Sequence, residues 1–182
     1  MPTVYFAHGK ESGPWGTKIQ HLAAIARRRG CEVESPDYSA IPDPDARVDL
    51  LLGLASGKPD LLLVGSSMGG YVSTVAAHTL DTRGLFLMAP ALYIPGYRAQ
   101  RYHPSTRRIA VVHGWHDDIV PVRHSIEFAR ETHSELHILD GDISDEVQAN
   151  DVILFKPYDF NRHKVSSVCV LNILVLPELA EL

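Results

Sequence analysis

Leu61-Leu62-Leu63-Val64-Gly65-Ser66-Ser67-Met68-Gly69-Gly70 is an apolar run that ends in Gly-x-Ser-x-Gly and passes directly into a helical pattern. Its first four residues are uniformly apolar, which suits a short strand buried on both faces. Small residues at 65 and 69 allow backbones to crowd around a sharp strand-to-helix turn, and that turn holds the Ser67 hydroxyl out toward solvent. A turn of this kind is a nucleophile elbow. It needs a parallel sheet on one side and a helix on the other, so this one stretch bears on fold and chemistry together.

Outward from the elbow, short apolar runs alternate with longer helical patterns, the mark of βαβ units. Strands are predicted at Val4–Ala7, Cys31–Ser35, Leu61–Val64, Gly84–Met88, Ile109–His113 and Leu136–Leu139. Helical periodicity runs over Thr17–Arg29, Arg47–Ala55, Gly69–Leu80 and Arg123–Arg130. Prolines 36, 42, 44, 59, 90, 95, 104 and 121 fall between these elements, where a missing N–H does least damage. The expected class is α/β, an open, mostly parallel sheet of about six strands flanked by helices on both faces. At 182 residues the chain has the length of one domain.

Seventeen Lys and Arg against 22 Asp and Glu give a formal charge of −5, which opposes long-range attraction to nucleic acid or to an anionic membrane. The basic run Arg27-Arg28-Arg29 closes a helix, where cations complement the negative dipole end. Met1-Pro2-Thr3 leads straight into a strand, so no export leader is expected. Cys31 and Cys169 lack CxxC spacing and read as buried reduced thiols, which points to a cytoplasmic protein. Val168–Leu176 is too short to cross a bilayer.

Two His-Gly pairs follow predicted strands. In Val4-Tyr5-Phe6-Ala7-His8-Gly9-Lys10-Glu11-Ser12-Gly13 the loop after the strand has the small residues expected of an oxyanion-hole donor, and Lys10 N–H is the candidate to pair with Met68 N–H. The His8 side chain is expected to buttress that loop instead of acting as a base. The second pair lies in His113-Gly114-Trp115-His116-Asp117-Asp118-Ile119-Val120-Pro121, of the form H-G-x-x-D-x-x-V-P.

A strand with a His-Gly loop, a G-x-S-x-G elbow and HGxxDxxVP, in that order over about the first 140 residues, resemble the α/β-hydrolase superfamily, in particular the small bacterial esterases of the YqiA type that lack a large cap. The resemblance implies Ser67 as nucleophile and Asp117 as the acid that orients a catalytic histidine, with Asp118 the adjacent alternative. It implies hydrolysis of a short-chain carboxylic ester through an acyl-enzyme, with thioesters and amides as further substrate classes and no metal or organic cofactor. Ala89–Arg107 is too short for a lid domain. Tyr93, Tyr97, Tyr102 and Trp15 are candidates for lining a shallow acyl pocket or for simple packing. The expected partner is a small-molecule ester, without nucleic acid or membrane, for a monomer or homodimer.

The pattern breaks after the last strand. Such triads run Ser, Asp, His, with the histidine in the loop after that strand. Here the loop reads Asp140-Gly141-Asp142-Ile143-Ser144-Asp145 and holds no imidazole. Of the histidines beyond Asp117, His124 and His133 belong to a helix and His137 to a strand, leaving His163 as the candidate base. Residues 142–182 diverge from the family pattern, with a β-branched segment at Val165–Leu176 where a final amphipathic helix is expected. A changed reading frame or gene near residue 142 would produce that departure. A serine without a base is a weak nucleophile, so the rival reading is a base-deficient binding protein of the same fold. A structural protein with an incidental Gly-Ser turn is the more distant alternative.

Overall fold

The computed structural model describes residues 1–140. His163, Cys169, Val165–Leu176 and the loop from Gly141 onward lie outside the described residues.

Among the described residues six strands form one all-parallel sheet: β1 (Thr3–Ala7), β2 (Glu32–Glu34), β3 (Leu61–Ser66), β4 (Thr82–Met88), β5 (Ile109–Gly114) and β6 (Glu135–Leu139). The spatial order is β2-β1-β3-β4-β5-β6. The order reverses direction at β1, between its neighbours β2 and β3. Four helices among the described residues connect these strands: α1 (Thr17–Arg28), α2 (Pro44–Ala55), α3 (Met68–Ala76) and α4 (Val122–Thr132).

Because strand side chains alternate between faces, each central strand feeds two cores. Val4, Phe6, Leu62, Val64, Phe86, Met88, Ala110 and Val112 pack with Ile19, Leu22, Ala23 and Ala26 of α1. Tyr5, Ala7, Leu61, Leu63, Leu85, Leu87 and Val111 face the other way, onto Val48 and Leu51 of α2, Tyr71 and Val72 of α3 and Phe128 of α4. No helix among the described residues is long and apolar enough to cross a membrane.

The predicted elements are all present, with shifted ends. Pro44 lies inside α2, as its first residue, where its missing N–H would have had no helical acceptor. Asp43 caps that helix by accepting from the Asp45 N–H at 3.0 Å. Helix α3 stops at Ala76 instead of Leu80, because His78 and Thr79 donate three residues back, to Val75 and Ala76, and the last turn tightens. Strand β4 begins two residues early, at Thr82, whose hydroxyl meets that of Thr106 at 2.6 Å.

Candidate functional site

Parallel strands deliver their C-terminal ends to one edge of the sheet, and the loops after β1, β3 and β5 meet there. Between β3 and α3, Ser67 adopts φ 52° and ψ −120°, a left-handed conformation that a non-glycine residue enters only under constraint. The constraint is visible. Ser67 N–H donates to the Met88 carbonyl at 3.0 Å, and the Ser67 carbonyl accepts from Gly70 at 2.9 Å, Ala91 at 2.9 Å and Tyr71 at 3.3 Å. The side chain, half-buried, makes no capping bond to α3 and is left available for chemistry.

The glycines around it are required by contact. A methyl group on Gly65 would lie 2.3 Å from the Gly69 carbonyl oxygen, and one on Gly69 would lie 1.9 Å from the Ala7 carbonyl oxygen. Met68 supplies the first N–H of α3, at the positive end of the helix, where backbone donors have no helical acceptor.

The register pairs Ala7 with Gly65, so the loop after β1 emerges beside the elbow. The methyl position on Gly9 is 3.5 Å from Ser67 Cβ. His8 is fully buried. Its Nδ1 lies 2.8 Å from the Gly9 carbonyl, which only accepts, so Nδ1 donates; its Nε2 then accepts the Tyr38 N–H at 3.0 Å. Both ring nitrogens are committed, and burial holds the imidazole below its ordinary pKa, so His8 is a neutral buttress of the loop.

Asp117 lies in the loop after β5, the strand two places across the sheet from β3 and its Ser67 turn. One carboxylate oxygen accepts from Ile119 at 2.9 Å and Val120 at 2.8 Å; the other faces His113 Nε2 at 3.4 Å. His113 is itself buried, with Nε2 donating to the Val120 carbonyl at 2.9 Å and Nδ1 accepting from Ser125 at 2.7 Å. Asp117 is thus oriented from several sides, its side chain 7% exposed, while Asp118 is exposed. The orienting role of His113 and Ser125 was not legible in the sequence, although His113 ending an apolar strand was a signal.

No histidine among the described residues is hydrogen-bonded to Ser67. His124 packs its ring on Tyr93 at 5.9 Å, His133 ends α4 with φ 54°, and His137 meets Glu135 at 2.7 Å within β6. His116, which the sequence reading passed over, lies next to Asp117 and reaches Asp140 at 3.2 Å at the end of β6. Tyr102 is a packing residue: it is fully buried, donates to the Ala99 carbonyl at 2.8 Å and accepts from Tyr93 N–H at 3.1 Å. Burial pushes its phenol up to about 12. Trp15 stays partly exposed under the Arg27 guanidinium, 5.4 Å from the ring centroid.

The sequence model of the alpha/beta hydrolase family matches residues 4–158, past residue 142 and short of His163. A crystal structure from Xanthomonas campestris pv. campestris, described as a hydrolase of the alpha/beta superfamily, is similar at 29% identity. It covers 82% of this chain and 92% of that one, with a TM-score of 0.73. Est1E from Butyrivibrio proteoclasticus shares the fold at 16% identity, covering 81% of each chain with a TM-score of 0.67. The ydeN gene product from B. subtilis does so at 18% identity, over 78% of this chain and 86% of that one, with a TM-score of 0.66. No curated protein matches the chain in sequence.

Proposed function

The chain belongs to the alpha/beta hydrolase family, and we propose that it is a serine carboxylesterase acting on small, short-chain esters. The observation that carries the reading is the left-handed Ser67 between β3 and α3, held there by four backbone hydrogen bonds and enclosed by glycines. In the proposed reaction Ser67 Oγ attacks the acyl carbon while a base takes its proton. Lys10 and Met68 N–H groups stabilise the oxyanion, the alcohol leaves, and water releases the acyl group. Asp117 would orient the base and stabilise its charged form. His163 is proposed as that base, supplied by the segment beyond the described residues. No cofactor takes part in this scheme. The narrower kinship with cap-less esterases of the YqiA type, the cytoplasmic location and a monomeric or homodimeric state belong to the same proposal.

One observation favours a second reading. The loop entered at Asp140 reads Gly141-Asp142-Ile143, without the histidine that the triad order calls for. A base-deficient relative would keep the elbow as a binding pocket. Hydrolysis of p-nitrophenyl acetate and butyrate by wild type, Ser67→Ala, His163→Ala and His116→Ala separates the two. Turnover lost in Ser67→Ala and His163→Ala but kept in His116→Ala supports the esterase with His163 as base. Loss in His116→Ala with retention in His163→Ala moves the base to the loop after β5. Wild-type turnover no higher than that of Ser67→Ala favours the binding protein.

A further inference from the structure

Arg47 is the largest fully buried side chain described, 1% exposed, in the first turns of α2. It is misplaced by two simple rules. A cation opposes the positive end of a helix, and a buried charge ordinarily has an opposite charge in contact. Among the described residues no carboxylate lies within ion-pair distance of it. Its partners are carbonyls: Nε donates to Ile41 at 2.6 Å, and Nη1 to Gly9 at 3.3 Å with His8 at 3.5 Å. The guanidinium lies over the Tyr38 ring, 5.6 Å from its centroid.

The Gly9 carbonyl thus receives two donors, Arg47 Nη1 and His8 Nδ1. The described peptide bonds are all trans, so the N–H in the same peptide, that of Lys10, points the opposite way. Gly9 runs alongside Ser67 Cβ. We propose that Arg47 is a positioning residue for the oxyanion hole: by holding the Gly9 carbonyl it directs the Lys10 N–H toward the oxygen that develops charge at Ser67. This rests on the reading of Ser67 as nucleophile.

Direction is one part of the effect. Hydrogen bonds received by an amide oxygen polarise the amide and make its N–H a stronger donor. A buried positive charge behind the peptide also favours negative charge in front of it, in surroundings that screen weakly. The planar fork explains arginine over lysine, since one side chain must reach both Ile41 and Gly9.

The test uses a matched pair of p-nitrophenyl esters, one with an ordinary acyl C=O and one with C=S, since a developing sulfur anion gains little from N–H donors. Arg47→Met is expected to lower kcat on the oxoester by on the order of ten- to a hundredfold, with KM nearly unchanged. The thionoester should be affected much less, and Arg47→Lys should fall between. A purely structural role would slow both esters alike. The Lys10 backbone amide resonance, read by NMR in the same proteins, should move in Arg47→Met. A folded Arg47→Met protein with the wild-type oxo-to-thiono ratio and an unmoved Lys10 amide overturns the proposal. If Arg47→Met does not fold, Arg47→Lys carries the same two readouts. If wild type shows no Ser67-dependent turnover, the nucleophile reading fails, and the Lys10 resonance alone decides whether Arg47 positions that peptide.

Discussion

The α-carbon of Gly69 lies so close to Ala7 that a methyl group on it would be 1.9 Å from the Ala7 carbonyl oxygen. The start of α3 therefore packs on the end of β1 through bare backbone, which brings the loop of His8 and Gly9 beside the elbow. Gly69→Ala and Gly65→Ala are expected to destabilise the fold by about 3 kcal/mol or more, the upper end for overpacking, because the opposing atoms are backbone and cannot swing away. Gly13→Ala, which meets nothing within 4 Å, should stay within about 0.5 kcal/mol of wild type. Urea midpoints measure all three, and a Gly69→Ala protein as stable as wild type would show that the backbones of Gly69 and Ala7 are not in contact.

Ser67 holds a conformation that glycine adopts without strain. Ser67→Gly should raise unfolding stability by about 1 kcal/mol, the relief of a left-handed backbone less the extra entropy of an unfolded glycine, while abolishing ester turnover. Ser67→Ala should lose turnover by on the order of a thousandfold or more with stability close to wild type. A Ser67→Gly protein that melts below Ser67→Ala would contradict the strain.

Asp117 and Asp118 are neighbours with different surroundings. Asp117→Asn keeps an oxygen for the Ile119 and Val120 N–H groups but removes the negative charge, so kcat should fall by on the order of 10⁴-fold with little change in melting temperature. Asp118→Asn, on the exposed neighbour, should leave kcat within about twofold, since exposed charges are screened. Equal losses at both positions would remove the assignment of Asp117.

Burial lowers the pKa of His8 and of His113 below the ordinary histidine value of 6.5, so both are neutral in the fold when the unfolded chain is already binding protons. Stability from these residues is present above about pH 6.5 and is lost as pH falls below it toward the folded pKa values. The urea midpoint should fall between pH 7.5 and pH 5.5, and the fall should be smaller in His8→Asn. A slope unchanged by that substitution would mean that His8 takes up its proton equally in both states.

Ser67, its flanking glycines and the strand and helix around it were legible because the elbow is local: a short apolar run, small residues and a helical pattern follow one another along the chain. The same locality revealed the strand–loop units that carry Gly9 and Asp117. Helix ends were less legible, since the turn that stops α3 depends on which carbonyls His78 and Thr79 reach.

By itself the amino-acid sequence determined the α/β class, the order of the strands along the chain and the position of the elbow, all of which follow from periodicity and from the steric demands of single residues. Only the tertiary structure decided the left-to-right order of the sheet, the neutral state of His8 and the partners of Arg47. The Arg47 contact to Gly9 spans 38 residues, and the Asp45 carboxylate accepts from a tyrosine 26 residues away, at 2.6 Å. Such bonds exist because two loops and a helix converge at one edge of the sheet, and nothing in the local pattern around Arg47 encodes which carbonyl will lie opposite it.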